Sequence, residues 1–319
     1  MGDLKVYLEA NENNNYIGTL AIGEQYLNGW ETNSLPYWIE YCKKHKIGLV
    51  AQVNPIEDEG KKRVDWQKIA MPYVVKSNIN KAKLFCFVDY DIIPSPGARN
   101  IFDETEKGKI GIVSQRKWLP YGNVETILKR IAFFRHMYCS NRYPLDSYIT
   151  RKTEEIFRDH GLTEFDNYAC GGLFTLDLDM WSAEMMGWFK KYSSDSCLVA
   201  NPGEEVYLNF HIQNTNQVQW LDYKWQTLWW YEMGYMHFEL YKKENRDERK
   251  ILAAIENSLS RCDFMHFVGS WEKWAWDYVK HLDYKKMTIY KDLKDYMNAD
   301  LKSPNLGLCL PDDRKNISL

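Results

Sequence analysis

The sequence predicts an α/β fold with a mostly parallel central sheet covered by helices, and three observations carry that prediction. Short runs rich in β-branched, aliphatic and aromatic residues alternate with amphipathic helical segments along most of the chain. One run, Leu84-Phe85-Cys86-Phe87-Val88, is apolar at five consecutive positions, as expected of a strand buried on both faces. It ends abruptly in Asp89-Tyr90-Asp91, and in open α/β sheets ligands bind at the carboxyl ends of strands.

Taken in order, residues 4–10 and 16–22 read as two strands around the Asn-rich turn 11–15. Ser34 is placed to cap a helix through Tyr37, Trp38, Tyr41 and Cys42, whose spacing gives one apolar face. A strand follows at 47–53, then a charged loop at 55–64. A second amphipathic segment covers 66–76, where Pro72 is expected to bend or break the helix. Beyond the apolar run, 110–114 reads as a strand and 124–160 as helical, charged on one face. Residues 171–176 predict a strand, 179–192 a helix, and 218–221 and 264–268 two short strands. The tail from 283 to 319 is more polar, with one further helix at most, and no internal repeat is evident.

Hydrophobic residues make up 45% and charged residues 27% of the 319, the balance of a globular chain rather than a disordered or fibrous one. The net charge of -3 comes from 41 basic and 44 acidic residues mixed along the chain, so nucleic acid or an anionic membrane is not the default partner. Seven cysteines occur without a CxxC pair, which argues for reduced, packed thiols rather than a disulfide framework or zinc site. The first residues show no charged leader followed by an apolar stretch, and no run of about 18 apolar residues occurs, so a cytoplasmic protein is the simplest reading. The sequon Asn316-Ile317-Ser318 carries little weight beside that. Aromatic content reaches 15%, with 13 Trp and 22 Tyr; most must fill the core, and the rest suit stacking on sugar rings or nucleobases.

Chemistry concentrates at Asp89 and Asp91. Ionised carboxylates at the edge of a core need a partner, and side chains at i and i+2 of an extended segment point the same way. Hard oxygen ligands suit Mn²⁺ or Mg²⁺, which bridges the phosphates of a nucleotide diphosphate and stabilises it as a leaving group. The plain alternative is a turn that happens to hold two acids. Far downstream, Met265-His266-Phe267-Val268-Gly269 offers an imidazole that can complete such a site, and a glycine that lets backbone approach a ligand. A lone His beside apolar residues is otherwise an ordinary structural residue.

Together these residues resemble the GT-A glycosyltransferases, and most of all the group of glycogenin and the bacterial lipopolysaccharide galactosyltransferases, family eight. The resemblance covers roughly residues 16–276: the strand leading to Asp89-Tyr90-Asp91, the later strand at 168–176, and His266 to Gly269. It also takes in residues 19–29, where Tyr26 falls at the family's base-stacking tyrosine, and Glu204-Glu205-Val206-Tyr207-Leu208-Asn209, similar to its acidic segment before Leu-Asn. It implies a GT-A domain over 1–282, with a nucleotide-binding half near 1–123, a helical insertion near 124–160, an acceptor half near 161–282, and a C-terminal extension from 283. It further implies Asp89, Asp91 and His266 as metal ligands and Leu20, Ala21, Tyr26, Tyr90, Gly269 and Lys273 around the donor. Glu204 and Glu205 then face the acceptor sugar or the reacting carbon.

Two departures stand out. The family's Lys-Pro-Trp is replaced by Ser270-Trp271-Glu272-Lys273-Trp274, with Lys273 one position late, and its Asn-Ser-Gly by Cys170-Gly171-Gly172. The activity implied is Mn²⁺- or Mg²⁺-dependent transfer of a sugar, a hexose by the resemblance, from a UDP-sugar to a hydroxyl acceptor with retention of configuration. Two alternatives stay open: inversion with Glu204 or Glu205 as general base, and a non-catalytic protein that binds nucleotide sugars or glycans. A nucleotidyltransferase is disfavoured because no Gly-rich phosphate loop follows the first strand.

Overall fold

A computed structural model describes residues 4–57, 62–192 and 203–287. The expected tail helix, the sequon, Cys197 and Cys309 lie outside the described residues; the other five cysteines are free thiols.

Seven strands form the central sheet in the order β1-β3-β2-β4-β7-β6-β8. They are β1 (Leu4–Leu8), β2 (Tyr16–Leu20), β3 (Gly48–Gln52), β4 (Leu84–Val88), β6 (Ile110–Ser114), β7 (Ala169–Asp177) and β8 (Val218–Leu221). Five run in one direction, while β1 at the edge and β7 in the middle run against their neighbours. The α/β expectation holds. The strands at 4–10 and 16–22 do not pair with each other, because β3 lies between them.

Alternation along the central strands divides the core between two faces. Phe85 and Phe87 of β4 join Phe174 and Leu176 of β7 on one side, under α3 (Met71–Asn78) and α6 (Leu178–Lys191). Cys86, Val88 and Leu173 face the other side, against Trp38 and Cys42 of α2 (Leu35–His45) and Ile131 of α4 (Val124–Phe134). A small second sheet, β5 (Ile92–Pro94), β10 (Phe264–His266) and β9 (Thr227–Leu228), carries a third apolar cluster with Met265, Phe267 and Trp229.

Two local expectations need correction. Ser34 is not a cap: α1 (Glu24–Gly29) runs through a π-helical turn straight into α2, and the Ser34 hydroxyl accepts from the Trp276 indole N–H at 3.1 Å. Pro72 does not bend a helix, because residues 64–70 form a 3-10 helix and Pro72 sits in the first turn of α3, where its missing N–H is not needed. The segment 124–160 holds α4, a π-helical turn and the short α5 (Thr153–Asp159). Its Arg135 makes a bidentate pair with Glu272 at 2.7–2.8 Å, the two side chains being 4% and 0% exposed.

Candidate active site

The chain leaves β4 at Val88 and turns: Ile92 N–H donates to Asp89 O at 3.0 Å, and the strand resumes as β5. Residues 89–91 are therefore a turn rather than an extended segment. Their carboxylates converge because both flanks are fixed, with Asp89 N–H donating to Gly172 O at 2.8 Å on β7. β10 pairs antiparallel with β5 so that His266 lies opposite Ile92, and Phe267 N–H donates to Asp91 O at 3.0 Å. That register delivers an imidazole from the far end of the chain to the two acids.

His266 Nε2 lies 3.3 Å from Asp91 Oδ1 and 3.7 Å from Asp89 Oδ2. One ligand atom from each of Asp89, Asp91 and His266 falls within 4.8 Å of the others. Asp91 Oδ1 is buried and makes no hydrogen bond, a costly state for a carboxylate oxygen unless a cation satisfies it. Two carboxylates and one imidazole form a donor set that suits Mn²⁺ well and Mg²⁺ acceptably. The three residues can hold a divalent cation.

The back of the imidazole is equally constrained. With the Gln226 amide oriented to satisfy both its ends, its oxygen accepts from Leu173 N–H and from His266 Nδ1–H, each at 3.1 Å, and its nitrogen donates to Cys170 O at 3.2 Å. Gln226 is fully buried. The bond places the proton on Nδ1 and leaves the Nε2 lone pair facing the acids, the arrangement a metal-ligating histidine needs.

Gly172 supplies the space. A Cβ there would stand 2.4 Å from His266 Cε1, 2.8 Å from Asp89 Oδ2 and, with the Gln226 amide so oriented, 2.9 Å from its oxygen. Gly172→Ala is therefore expected to weaken Mn²⁺ binding by at least about tenfold and to cost about 1–3 kcal/mol of stability, read by electron paramagnetic resonance titration and by urea denaturation. Unchanged affinity would show that the cation sits elsewhere.

Two lysines neutralise the acids. Lys68 Nζ, on the 3-10 helix, lies 3.1 Å from Asp89 Oδ1 and 2.8 Å from Glu204 Oε1, with a side chain only 8% exposed. Burial pushes its pKa down, but Asp89 and Glu204 outweigh that and hold it well above the ordinary lysine value. Lys273 Nζ is 2.6 Å from Asp91 Oδ2, donates to the Tyr90 hydroxyl, and stands 4.1 Å from the centre of the Tyr90 ring. Burial raises the Asp91 pKa, but Lys273 prevails and keeps it well below the usual carboxylate range. Lys273 is oriented by its predecessor: Glu272 is held by Arg135 and by the Tyr241 hydroxyl at 2.7 Å, and Lys273 N–H donates to O of Gly269, whose φ is +93°.

The acidic pair opens the helix Glu205–Asn214 on the other side of Lys68. Glu205 accepts from the Gln115 amide at 2.7 Å and from Gly171 N–H at 3.2 Å, while burial and then the Glu204 charge push its pKa up to about 7. Asn209 clamps the helix to β7, accepting from Ala169 N–H at 2.7 Å and donating to Ala169 O at 2.9 Å, so the Leu-Asn end of that segment is structural. Asp65 joins the same cluster, its pKa raised to about 6 by burial and by Glu204.

The remaining expected residues occupy the rim. Leu20 and Ala21 are buried at the carboxyl end of β2, beside β4, and Ala21 N–H donates to Gln52 O at 2.9 Å. Tyr26 is 45% exposed, edge-on to Tyr90 at 5.2 Å, and Tyr90 is edge-on to Trp276 at 5.3 Å. Sequence reasoning missed Lys68, Gln226, Asp65 and the Arg135–Glu272 pair. The one available signal was a lysine set among Trp66, Ile69 and Ala70, all buried.

No family model matches this chain, and no curated protein matches it. Among solved structures, the chain is similar to the crystal structure of a glycosyltransferase involved in the glycosylation of the major capsid of PBCV-1, at 9% identity and a TM-score of 0.49. That alignment covers 84% of this chain and 99% of the other. Among the described residues no helix is long and apolar enough to cross a membrane.

Proposed function

We propose that this protein is a metal-dependent glycosyltransferase that moves a sugar from a nucleotide-diphosphate sugar, UDP by the resemblance at Tyr26, to a hydroxyl acceptor with retention of configuration. The supporting observation is the convergence of Asp89, Asp91 and His266 around an unsatisfied Asp91 oxygen. When bound there, Mn²⁺ or Mg²⁺ would supply Lewis-acid stabilisation of the departing diphosphate. Lys273 adds positive charge beside it, Tyr26 and Tyr90 offer aromatic surface for the base, and Glu204 and Glu205 lie across Lys68 from the metal ligands, where a reacting carbon would be flanked by acid. The test is hydrolysis of a panel of nucleotide sugars with Mn²⁺ and with EDTA. Binding that ignores EDTA, with no turnover of any donor, would leave a non-catalytic binding protein.

Inversion has one observation in its favour. A Glu205 carboxyl with a pKa near 7 is poised to take a proton from an acceptor hydroxyl at neutral pH. The anomeric configuration of the product, read by NMR, separates the two readings.

The same shift has a thermodynamic consequence. The folded-state pKa of Glu205 is raised from 4.5 to about 7, so the stability associated with its neutral form is complete below about pH 4.5 and is lost as the pH rises through about 7. Glu205→Gln should therefore flatten the decline in melting temperature between pH 5 and pH 8 relative to the unaltered protein. Parallel curves would mean that Glu205 ionises as freely folded as unfolded.

A further inference from the structure

The loop after β6 carries an aromatic surface that the metal site leaves unused. Trp118 is 67% exposed, and its backbone sits at φ +58°, in the left-handed region that a bulky residue occupies only when its surroundings enforce it. The residues leading into it are pinned. Ser114 Oγ accepts from Arg116 N–H at 3.1 Å and Lys117 N–H at 2.8 Å and donates to Asn167 Oδ1 at 2.5 Å. The Arg116 guanidinium donates to Ile149 O at 3.1 Å, and Lys117 pairs with Asp166 at 2.5 Å. Trp220 on β8 backs the indole, with ring centroids 6.0 Å apart. A pinned loop thus holds the largest apolar side chain in water, where burial would otherwise favour folding it inward.

One end of this loop is tied to the candidate active site, and the other packs on the residue that braces that end. Gln115 at its root donates to Glu205 and accepts from the Tyr231 hydroxyl at 2.8 Å, and Tyr121 at its far end stacks on Tyr231 at 5.7 Å. Three residues of chain keep the Trp118 Cα within about 11 Å of that of Gln115. The platform therefore stands a short way beyond Glu205, at the carboxyl end of β6.

We propose that Trp118, backed by Trp220, is a stacking platform for a pyranose ring of the acceptor, so that the acceptor is an oligosaccharide or glycoside rather than a lone small alcohol. The C–H face of a pyranose packs on an indole, and its outward hydroxyls remain free to hydrogen-bond. The proposal rests on the glycosyltransferase reading and narrows its substrate.

Saturation-transfer NMR with maltose, lactose and cellobiose tests it on the full chain. At least one disaccharide should bind the unaltered protein, with the Kd raised about tenfold in Trp118→Ala and nearly restored in Trp118→Phe. Mn²⁺ binding by Trp118→Ala, read by paramagnetic resonance, should stay within about twofold, showing an intact donor side. Trp220→Ala should show a smaller loss in the same direction. The proposal is overturned if none of the three sugars binds the unaltered protein, or if Trp118→Ala binds them equally well. Disaccharide binding without metal-dependent donor hydrolysis would instead overturn the transferase reading and leave the platform standing.

Discussion

Asp91→Ala is expected to lower Mn²⁺-dependent turnover on the order of 10³-fold while the chain stays folded, as judged by donor hydrolysis beside circular dichroism. Asp91 is 4% exposed and holds one oxygen toward His266 and the other toward Lys273. Removing a buried partner is usually severe because it strands the opposite charge. Here the Lys273 side chain is 30% exposed and can turn to water, so the stranded charge is rehydrated. What cannot be replaced is the ligand itself. Asp89 and His266 alone offer a cation two protein atoms, and the matching expectation is loss of saturable Mn²⁺ binding in the same variant. Turnover at the unaltered rate would place the metal, if one acts, away from this turn.

Lys68→Met should have the opposite balance, a large loss of stability whatever happens to turnover. Its ammonium lies between Asp89 and Glu204 with only 8% of the side chain exposed, and the Glu204 side chain is 7% exposed. Neither can move to water without opening the packed 3-10 helix. Methionine fills the volume but leaves two carboxylates uncompensated, at a cost of about 3–5 kcal/mol in urea denaturation. Mn²⁺ should recover part of that loss, because a cation on Asp89 supplies some of the missing charge. An unchanged urea midpoint would mean that the carboxylates protonate or relax without penalty.

The contrast between these two lysines shows what could be read from the chain and what could not. Asp89 and Asp91 were legible because five apolar residues followed by two acids have few structural uses, and β4 ends where that pattern says it should. His266 was faintly legible as an imidazole beside a glycine, and the resemblance is what set it apart from an ordinary structural histidine. Lys68 and Gln226 were invisible because their roles depend on which strands become neighbours. Gln226 precedes the two-residue strand β9, whose pairing with β10 brings it behind His266, and no periodicity announces a strand that short. The same logic accounts for the central sheet: each of its seven runs was recognisable, but the insertion of β3 between β1 and β2 and the reversed β7 are facts of topology. Ser34 misled for a related reason. A serine before an apolar periodic run signals a helix start only when the preceding residues are not already helical.

The Arg135–Glu272 pair bears on how the protein is made. Its partners are 137 residues apart, and the metal ligands are likewise divided, Asp89 and Asp91 preceding Arg135 and His266 lying shortly before Glu272. A nascent chain that has emerged only as far as residue 260 carries Asp89 and Asp91 without His266 or Lys273, and Arg135 without the carboxylate that accompanies it into the interior. The amino-terminal half therefore cannot reach its final electrostatic state during vectorial synthesis. Completion waits for β10 and the turn after it to leave the ribosome, so His266, Glu272 and Lys273 close a structure that the earlier strands can only begin.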